Sequence, residues 1–229
     1  MVDKFVAFIP VRSGSKSIPL KNIKNIAGRP LVYWTIDSAV ECPYISKVYV
    51  ATDGEEIKQA VENYDKDDKG KIIVISRSPE TATDTASTES AMLEFAENYN
   101  FENIVLIQAT SPLLESKDLT EAIQEYDKYD SMLSVVEQKR FYWNYNEDGS
   151  VSPTNYDFNN RPRRQEFNGN LVENGAFYIC SRKDLLKSKC RISGKIGCHV
   201  MSEKTYYEID ELDDWTIIES LINSRNKSL

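Results

Sequence analysis

The chain has 229 residues, 41% of them hydrophobic, and a formal net charge of −8. That length suits one α/β domain with room for a small insertion, and the apolar share is enough for a full core. The acidic balance argues against nucleic acid as a partner, since phosphate neutralisation needs clustered Lys and Arg.

No apolar run approaches the roughly 18 residues of a membrane span. Met1-Val2-Asp3-Lys4 runs directly into a strand-like segment without the regions of a signal peptide, so a cytoplasmic protein is expected. Cys42, Cys180, Cys190 and Cys198 contain no CxxC pair and read as reduced thiols. His199 is the single histidine, which disfavours a Ser-His-Asp hydrolase and a His-rich metal site.

Phe5 to Pro10 is a continuous apolar run and reads as a buried strand of a parallel sheet. A polar loop follows. Pro30 stands where a first helical residue would, ahead of a helical face made by Leu31, Trp34 and residues 36–40. Further strands are expected at 47–51, 71–75, 103–108 and 131–136. Helices are expected at 55–64, from Ser87 through Phe95, and at 116–126. The alternation predicts right-handed βαβ units: a Rossmann-like α/β fold with a mostly parallel central sheet flanked by helices. Asp65 to Gly70 reads as a charged surface loop.

After Glu137 the rhythm breaks. Residues 138–173 are rich in Tyr, Asn and Arg, with Asp148-Gly149 as a hairpin turn. Within a single domain spanning 1–229, this stretch reads as an inserted arm, either an interface element or a lid. The cluster Phe141, Tyr142, Trp143 and Tyr145 favours an interface. The sheet resumes at 175–180 and 197–201. A last helix from Asp213 to Ile222 carries Trp215, Ile218 and Leu221 at helical spacing.

From Phe5 through Ile36 there is no Asp or Glu, yet Arg12, Lys16, Lys21, Lys24 and Arg29 all fall there. The cationic loop therefore follows the first strand, and open α/β sheets bind ligands beyond the carboxyl ends of their strands. Arg12-Ser13-Gly14-Ser15-Lys16 offers two cations, two hydroxyls and backbone amides that can form an anion-binding nest. Each unit charge pair at 4 Å is worth roughly 4 kcal/mol at an effective dielectric of 20. Several fixed cations could thus hold a triphosphate, whereas the bland alternative is a solvated basic loop. Neither GxxxxGK[ST] nor GxGxxG is present, which disfavours a P-loop NTPase and a dinucleotide dehydrogenase.

The segment Ile9-Pro10-Val11-Arg12-Ser13-Gly14-Ser15-Lys16-Ser17-Ile18-Pro19-Leu20-Lys21-Asn22 resembles the signature loop of the acylneuraminate cytidylyltransferases, the CMP-sialic acid synthetases. Four further segments agree with that family in order. They are Ala51-Thr52-Asp53; Arg77-Ser78-Pro79-Glu80 with Asp84-Thr85-Ala86-Ser87-Thr88; Gln108-Ala109-Thr110-Ser111-Pro112; and Arg163-Arg164-Gln165-Glu166 with Glu173-Asn174-Gly175-Ala176-Phe177-Tyr178. Glu208-Ile209-Asp210 stands where the family has an acidic pair flanking one residue.

The resemblance spans essentially the whole chain and implies a nucleotide-diphospho-sugar transferase-like fold. It implies CTP and a nine-carbon nonulosonic (sialic-type) acid as substrates, CMP-sugar and pyrophosphate as products, Mg²⁺ as cofactor, and a homodimer built through the arm. By the same resemblance, Arg12, Lys16, Lys21 and Asn22 would hold the triphosphate, Arg12, Lys16, Lys21 and Asp210 serving catalysis. Arg77 and Thr88, with the backbone at Ala86, would read cytosine and ribose. Gln108, Arg164 and Asn174 would face the acid sugar, and Glu208 and Asp210 would hold the metal.

The chemistry agrees. Attack by an anomeric hydroxyl on the α-phosphate needs positioning and charge neutralisation more than a covalent catalyst. Mg²⁺ takes one or two carboxylates plus phosphate oxygens, and side chains two apart on a strand share a face. An Arg fork suits a sugar carboxylate. Two departures are visible. Glu208 stands where Asp is common, and Asn168-Gly169-Asn170 replaces a Pro-containing segment, which leaves the exact sugar open. Glu211, Asp213 and Asp214 read as the charged first turn of the last helix. Asp53 reads either as a second metal ligand or as a cap or turn residue. The alternatives are a cytidylyltransferase for 3-deoxy-manno-octulosonate and a non-catalytic nucleotide-binding sensor domain.

Overall fold

The computed structural model describes residues 2–15, 17–64 and 70–226; Lys16 and residues 65–69 of the charged loop lie outside them. Strand β1 (Asp3–Pro10) is buried on both sides. Phe5, Ala7 and Ile9 enter one core and Val6 and Phe8 the other, as a central parallel strand demands. The polar loop beyond it contains one short 3-10 turn at Lys21–Ile23. A minimal ladder of β2 (Asn25–Ile26) and β3 (Arg29–Pro30) then reverses the chain through Ala27 and Gly28 at φ 48° and 88°. Helix α1 (Leu31–Glu41) starts only after that ladder. Pro30 is thus its N-cap and not its first residue, because its backbone is committed to pairing with Asn25.

The expected alternation continues through β4 (Lys47–Thr52), α2 (Glu55–Glu62) and β5 (Ile72–Ser76). A four-residue helix α3 (Pro79–Ala82), too short to show a period in sequence, precedes α4 (Thr88–Asn98). Ser87 caps α4 by accepting from the Ser90 amide. Then come β6 (Phe101–Ile107), α5 (Ser116–Tyr126) and β7 (Ser131–Gln138). The arm carries a hairpin of β8 (Trp143–Tyr145) and β9 (Val151–Pro153), turning at Gly149 with φ 82°. β10 (Asn170–Ser181), α6 (Arg182–Ser188), β11 (Ile196–Met201) and α7 (Leu212–Asn226) complete the chain.

The seven-stranded sheet has the order β11-β7-β10-β6-β1-β4-β5. It is mixed: β10 runs antiparallel to both β6 and β7, and the other pairs are parallel. The arm explains this exception. It leaves β7 at the carboxyl end of the sheet and returns at that same end, so β10 must run back. The insertion therefore stands on the side where the strand-end loops gather.

Two core clusters fill the faces of the sheet. A third, smaller one joins Ile18, Ile26 and Leu31 to Ile209, Trp215, Ile218 and Ile222. It fastens the basic loop to the chain's last segments.

Candidate active site

The basic loop is held by its own polar atoms. The Val11 amide donates to the Ala51 carbonyl at 2.8 Å, carrying the pairing of β1 and β4 one step past the strand. Ser13 donates through both its amide and its hydroxyl to Asp53, each at 2.8 Å. Asn22 is buried and gives its amide nitrogen to the Arg12 carbonyl at 3.1 Å. Leu20 takes a left-handed backbone, φ 49°, to enter the 3-10 turn. Arg12 and Lys21 thus stand on a braced backbone, anchored below by the fully buried Ile18.

A cleft of about 270 Å³ opens at the carboxyl end of β1. Arg12, Lys21 and Asn22 line it from the basic loop, Arg77 and Ala86 from the stretch between β5 and α4, Thr88 from the first residue of α4, and Gln108 from just past β6. Residues from three separate sequence segments, two expected to serve the nucleotide and one the acid sugar, therefore meet around one volume. Gly14 and Ser15 line it as well, with Asp84 and Thr110.

The electrostatics are mixed. Arg12 pairs with Asp84 at 2.5 Å. The Arg77 pKa is lowered, first by burial and further by neighbouring Arg12, against the opposing charges of Asp53 and Glu94. Its guanidinium is folded onto Thr81, donating to the carbonyl and, at 3.4 Å, to the hydroxyl. Lys21 donates to the Ile209 carbonyl at 2.6 Å and lies 3.5 Å from the Asp210 carboxylate. It links the cleft to the acidic segment.

Glu208, Ile209 and Asp210 do not form the expected strand. Ile209 spends its amide on the Thr110 carbonyl (3.0 Å) and its carbonyl on Lys21, so loops and a side chain take the groups that a ladder would use. Its side chain is fully buried and fixes the two acids on either side of it. Ser17 donates to the Asp210 carbonyl at 2.5 Å. Asp214 accepts from the amides of Asp210 and Glu211 at 3.0 and 2.8 Å, the work of a helix-terminal acid at α7.

Glu208 is half-buried and its pKa is raised, first by burial and then by Asp210, with Asp214 and Glu173 adding and Lys21 opposing. It lies against Gly175, where φ is +67° and a Cβ would stand 3.2 Å from Oε2. Among the described residues no group of three or more His, Cys, Asp or Glu is arranged to hold a metal ion. The carboxylates of Glu208 and Asp210 bear on each other, with Lys21 as the neighbouring cation, and as hard-oxygen donors they suit a divalent cation completed by phosphate oxygens.

Not every expected residue meets the cleft. Arg164 is exposed on the arm and is not part of the lining. Asn174 is 3% exposed; its nitrogen donates to the Thr205 carbonyl and hydroxyl at 3.2 and 3.0 Å, while its Oδ1 is buried without a partner. Sequence reasoning assigned no role to Asp84, Ser17 or Thr110. Asp84 lay inside the segment matched to the nucleotide side, but Glu80 carries the same charge there, so charge alone did not single it out.

The Cytidylyltransferase family model matches residues 6–212. N-acylneuraminate cytidylyltransferase A of Danio rerio is 38% identical over 222 residues, covering 94% of this chain and 50% of the relative. N-acylneuraminate cytidylyltransferase of Oncorhynchus mykiss is 37% identical, with the same coverage. The chain spans about half the length of the curated relatives it matches. A solved structure of CMP:2-keto-3-deoxy-manno-octonic acid synthetase complexed with CTP matches with a TM-score of 0.70, over 97% of this chain and 99% of that one. At 17% identity that likeness shows the fold. Among the described residues no helix is long and apolar enough to cross a membrane.

Proposed function

This chain belongs to the cytidylyltransferase family, and we propose that it transfers CMP from CTP to the anomeric hydroxyl of a sialic-acid-like nonulosonic acid, releasing pyrophosphate. The observation that carries the reading is the single cleft lined by Arg12, Lys21, Asn22, Arg77, Ala86, Thr88 and Gln108. The names of the relatives supply the sugar class: they are N-acylneuraminate enzymes, whereas the octonic acid synthetase is similar at 17% identity only.

In this reading Arg12 and Lys21, with Lys16, neutralise the triphosphate and the charge that develops as pyrophosphate leaves. Asn22 holds the loop backbone through Arg12. The Ala86 backbone, Thr88 and Arg77 receive the nucleoside, which requires Arg77 to turn from Thr81. Gln108, in the same lining, faces the acceptor. Arg164 pairs with the acceptor's carboxylate and Asn174 keeps the sugar side in shape. Glu208 and Asp210 hold Mg²⁺, which when bound offsets phosphate charge. Lys21, joined to both the cleft and Asp210, keeps that carboxylate beside the phosphates.

The arm makes a homodimer in the same proposal, supported by exposed Trp143, Tyr145, Phe158 and Leu171. A cytoplasmic setting is supported by four free cysteines. The test is pyrophosphate release from CTP and Mg²⁺ with a panel of nonulosonic acids, and with 3-deoxy-manno-octulosonate beside them. Release with nonulosonic acids is expected. Turnover of the eight-carbon acid alone would replace the substrate, and CTP binding without turnover of any acid would favour a sensor.

A further inference from the structure

Asp53 follows the last residue of β4 and faces the basic loop from across the strand ends. Each of its carboxylate oxygens accepts from Ser13, one from the amide and one from the hydroxyl, both at 2.8 Å. A second observation concerns the next residue. A Cβ at Gly54 would lie 2.9 Å from the Ser13 Cβ, closer than side-chain carbons approach. Gly54 has φ −106° and ψ 125°, a backbone any residue adopts, so its small size serves proximity and not an unusual turn. Ser13 is therefore drawn onto β4 by two hydrogen bonds and admitted there by a missing side chain.

We propose that Asp53 is a positioning residue for nucleotide binding: through Ser13 it fixes the base of the basic loop so that Arg12 on one side and Gly14 and Ser15 on the other face the cleft. The proposal rests on the cleft being the nucleotide site. It also assigns the Ser13 amide to the scaffold, leaving the amides beyond it for phosphate. The competing role, a second metal ligand, finds no support in the surroundings. The charge that bears on Asp53 is Arg77, which repels a cation, and both of its carboxylate oxygens are already engaged by Ser13.

The decisive variant is Gly54→Ala, because it leaves every charge and every donor in place and only pushes Ser13 away. Gly54→Ala and Asp53→Ala are both expected to raise the KM and Kd for CTP about tenfold or more, since small misplacements of a binding loop are costly. Ser13→Ala, which keeps the amide bond, should have a smaller effect and add nothing in the Asp53→Ala background. The half-saturating Mg²⁺ concentration should stay within about twofold of wild type throughout. CTP affinity is read by calorimetry and Mg²⁺ dependence by pyrophosphate release, with thermal melts confirming folding. Should Asp53→Ala not fold, Gly54→Ala and Ser13→Ala carry the same comparison. Wild-type CTP affinity in Gly54→Ala, or a raised Mg²⁺ requirement in Asp53→Ala alone, overturns the proposal. Failure of the nucleotide reading shows instead in the wild type, as absence of CTP binding.

Discussion

Arg12 and Asp84 stand 72 positions apart in sequence and 2.5 Å apart in space, and both line the cleft. Any triphosphate that engages Arg12 must displace Asp84 or share the guanidinium with it. The two side chains are 35% and 42% exposed, so solvent screening keeps the pair to about 0.2–1 kcal/mol. Asp84→Asn removes the competing charge while keeping the shape. CTP should bind about two- to fivefold more tightly by calorimetry, with the gain shrinking at high salt. Weaker binding would mean that Asp84 orients Arg12.

Ile209 stands at the junction of the cleft and the acidic segment. It is fully buried in the third core cluster, and its backbone is tied to Thr110 and Lys21. Truncating a buried Ile to Ala costs about 2–5 kcal/mol. Ile209→Ala should therefore lower the denaturant midpoint clearly. It should also raise the Mg²⁺ concentration needed for half-maximal turnover, because Glu208 and Asp210 lose their shared anchor. Ile209→Val should lose far less on both measures. Full stability in the Ala variant would detach the segment from the core.

The sheet was legible where burial is two-sided. The run from Phe5 to Pro10 and the helix Ser116–Tyr126 reveal themselves through unbroken or periodic apolar residues. Direction is another matter, since a buried strand reads the same either way, and β10 turned out antiparallel. Its first residues, 170–173, read as the end of the arm because that stretch is rich in Tyr, Asn and Arg, and in the structure Leu171 and Glu173 are exposed. At the site, segregated charge exposed the loop of Arg12 and Lys21. The contacts of Asp84, Ser17 and Thr110 join distant segments and leave no local pattern. The strand expected for Glu208 and Asp210 failed for a related reason: Ile209 takes its backbone partners from Lys21 and Thr110, which lie far away in the chain.

The Asp53–Ser13 tie has a signature in pH. Burial pushes the Asp53 carboxyl up, but the amide and hydroxyl of Ser13 outweigh it and hold the pKa below the ordinary 3.8. A group with a depressed folded pKa contributes stability above its unfolded value and loses it as pH falls through the folded value. The stability difference between wild type and Asp53→Asn should therefore be flat from about pH 5 to 8 and shrink below about pH 4. Denaturant melts across that range measure it. A difference that does not change with pH would mean the charge of Asp53 is not what holds Ser13.

Arg164 is exposed on the arm, and the arm leaves and rejoins the sheet at the carboxyl end, where the cleft opens. Within one copy it is not part of the lining, so its expected role depends on an arm that reaches an acceptor at the cleft's edge. A guanidinium offers two parallel donors to a carboxylate, and lysine cannot reproduce that fork. Losing a charge-assisted bond of about 1.5–3 kcal/mol corresponds to roughly ten- to hundredfold in acceptor KM. Arg164→Ala should show that rise with the KM for CTP unchanged, and Arg164→Lys should recover only part of it. A rise confined to CTP would move Arg164 to the nucleotide. If neither constant changes, the arm serves the interface alone.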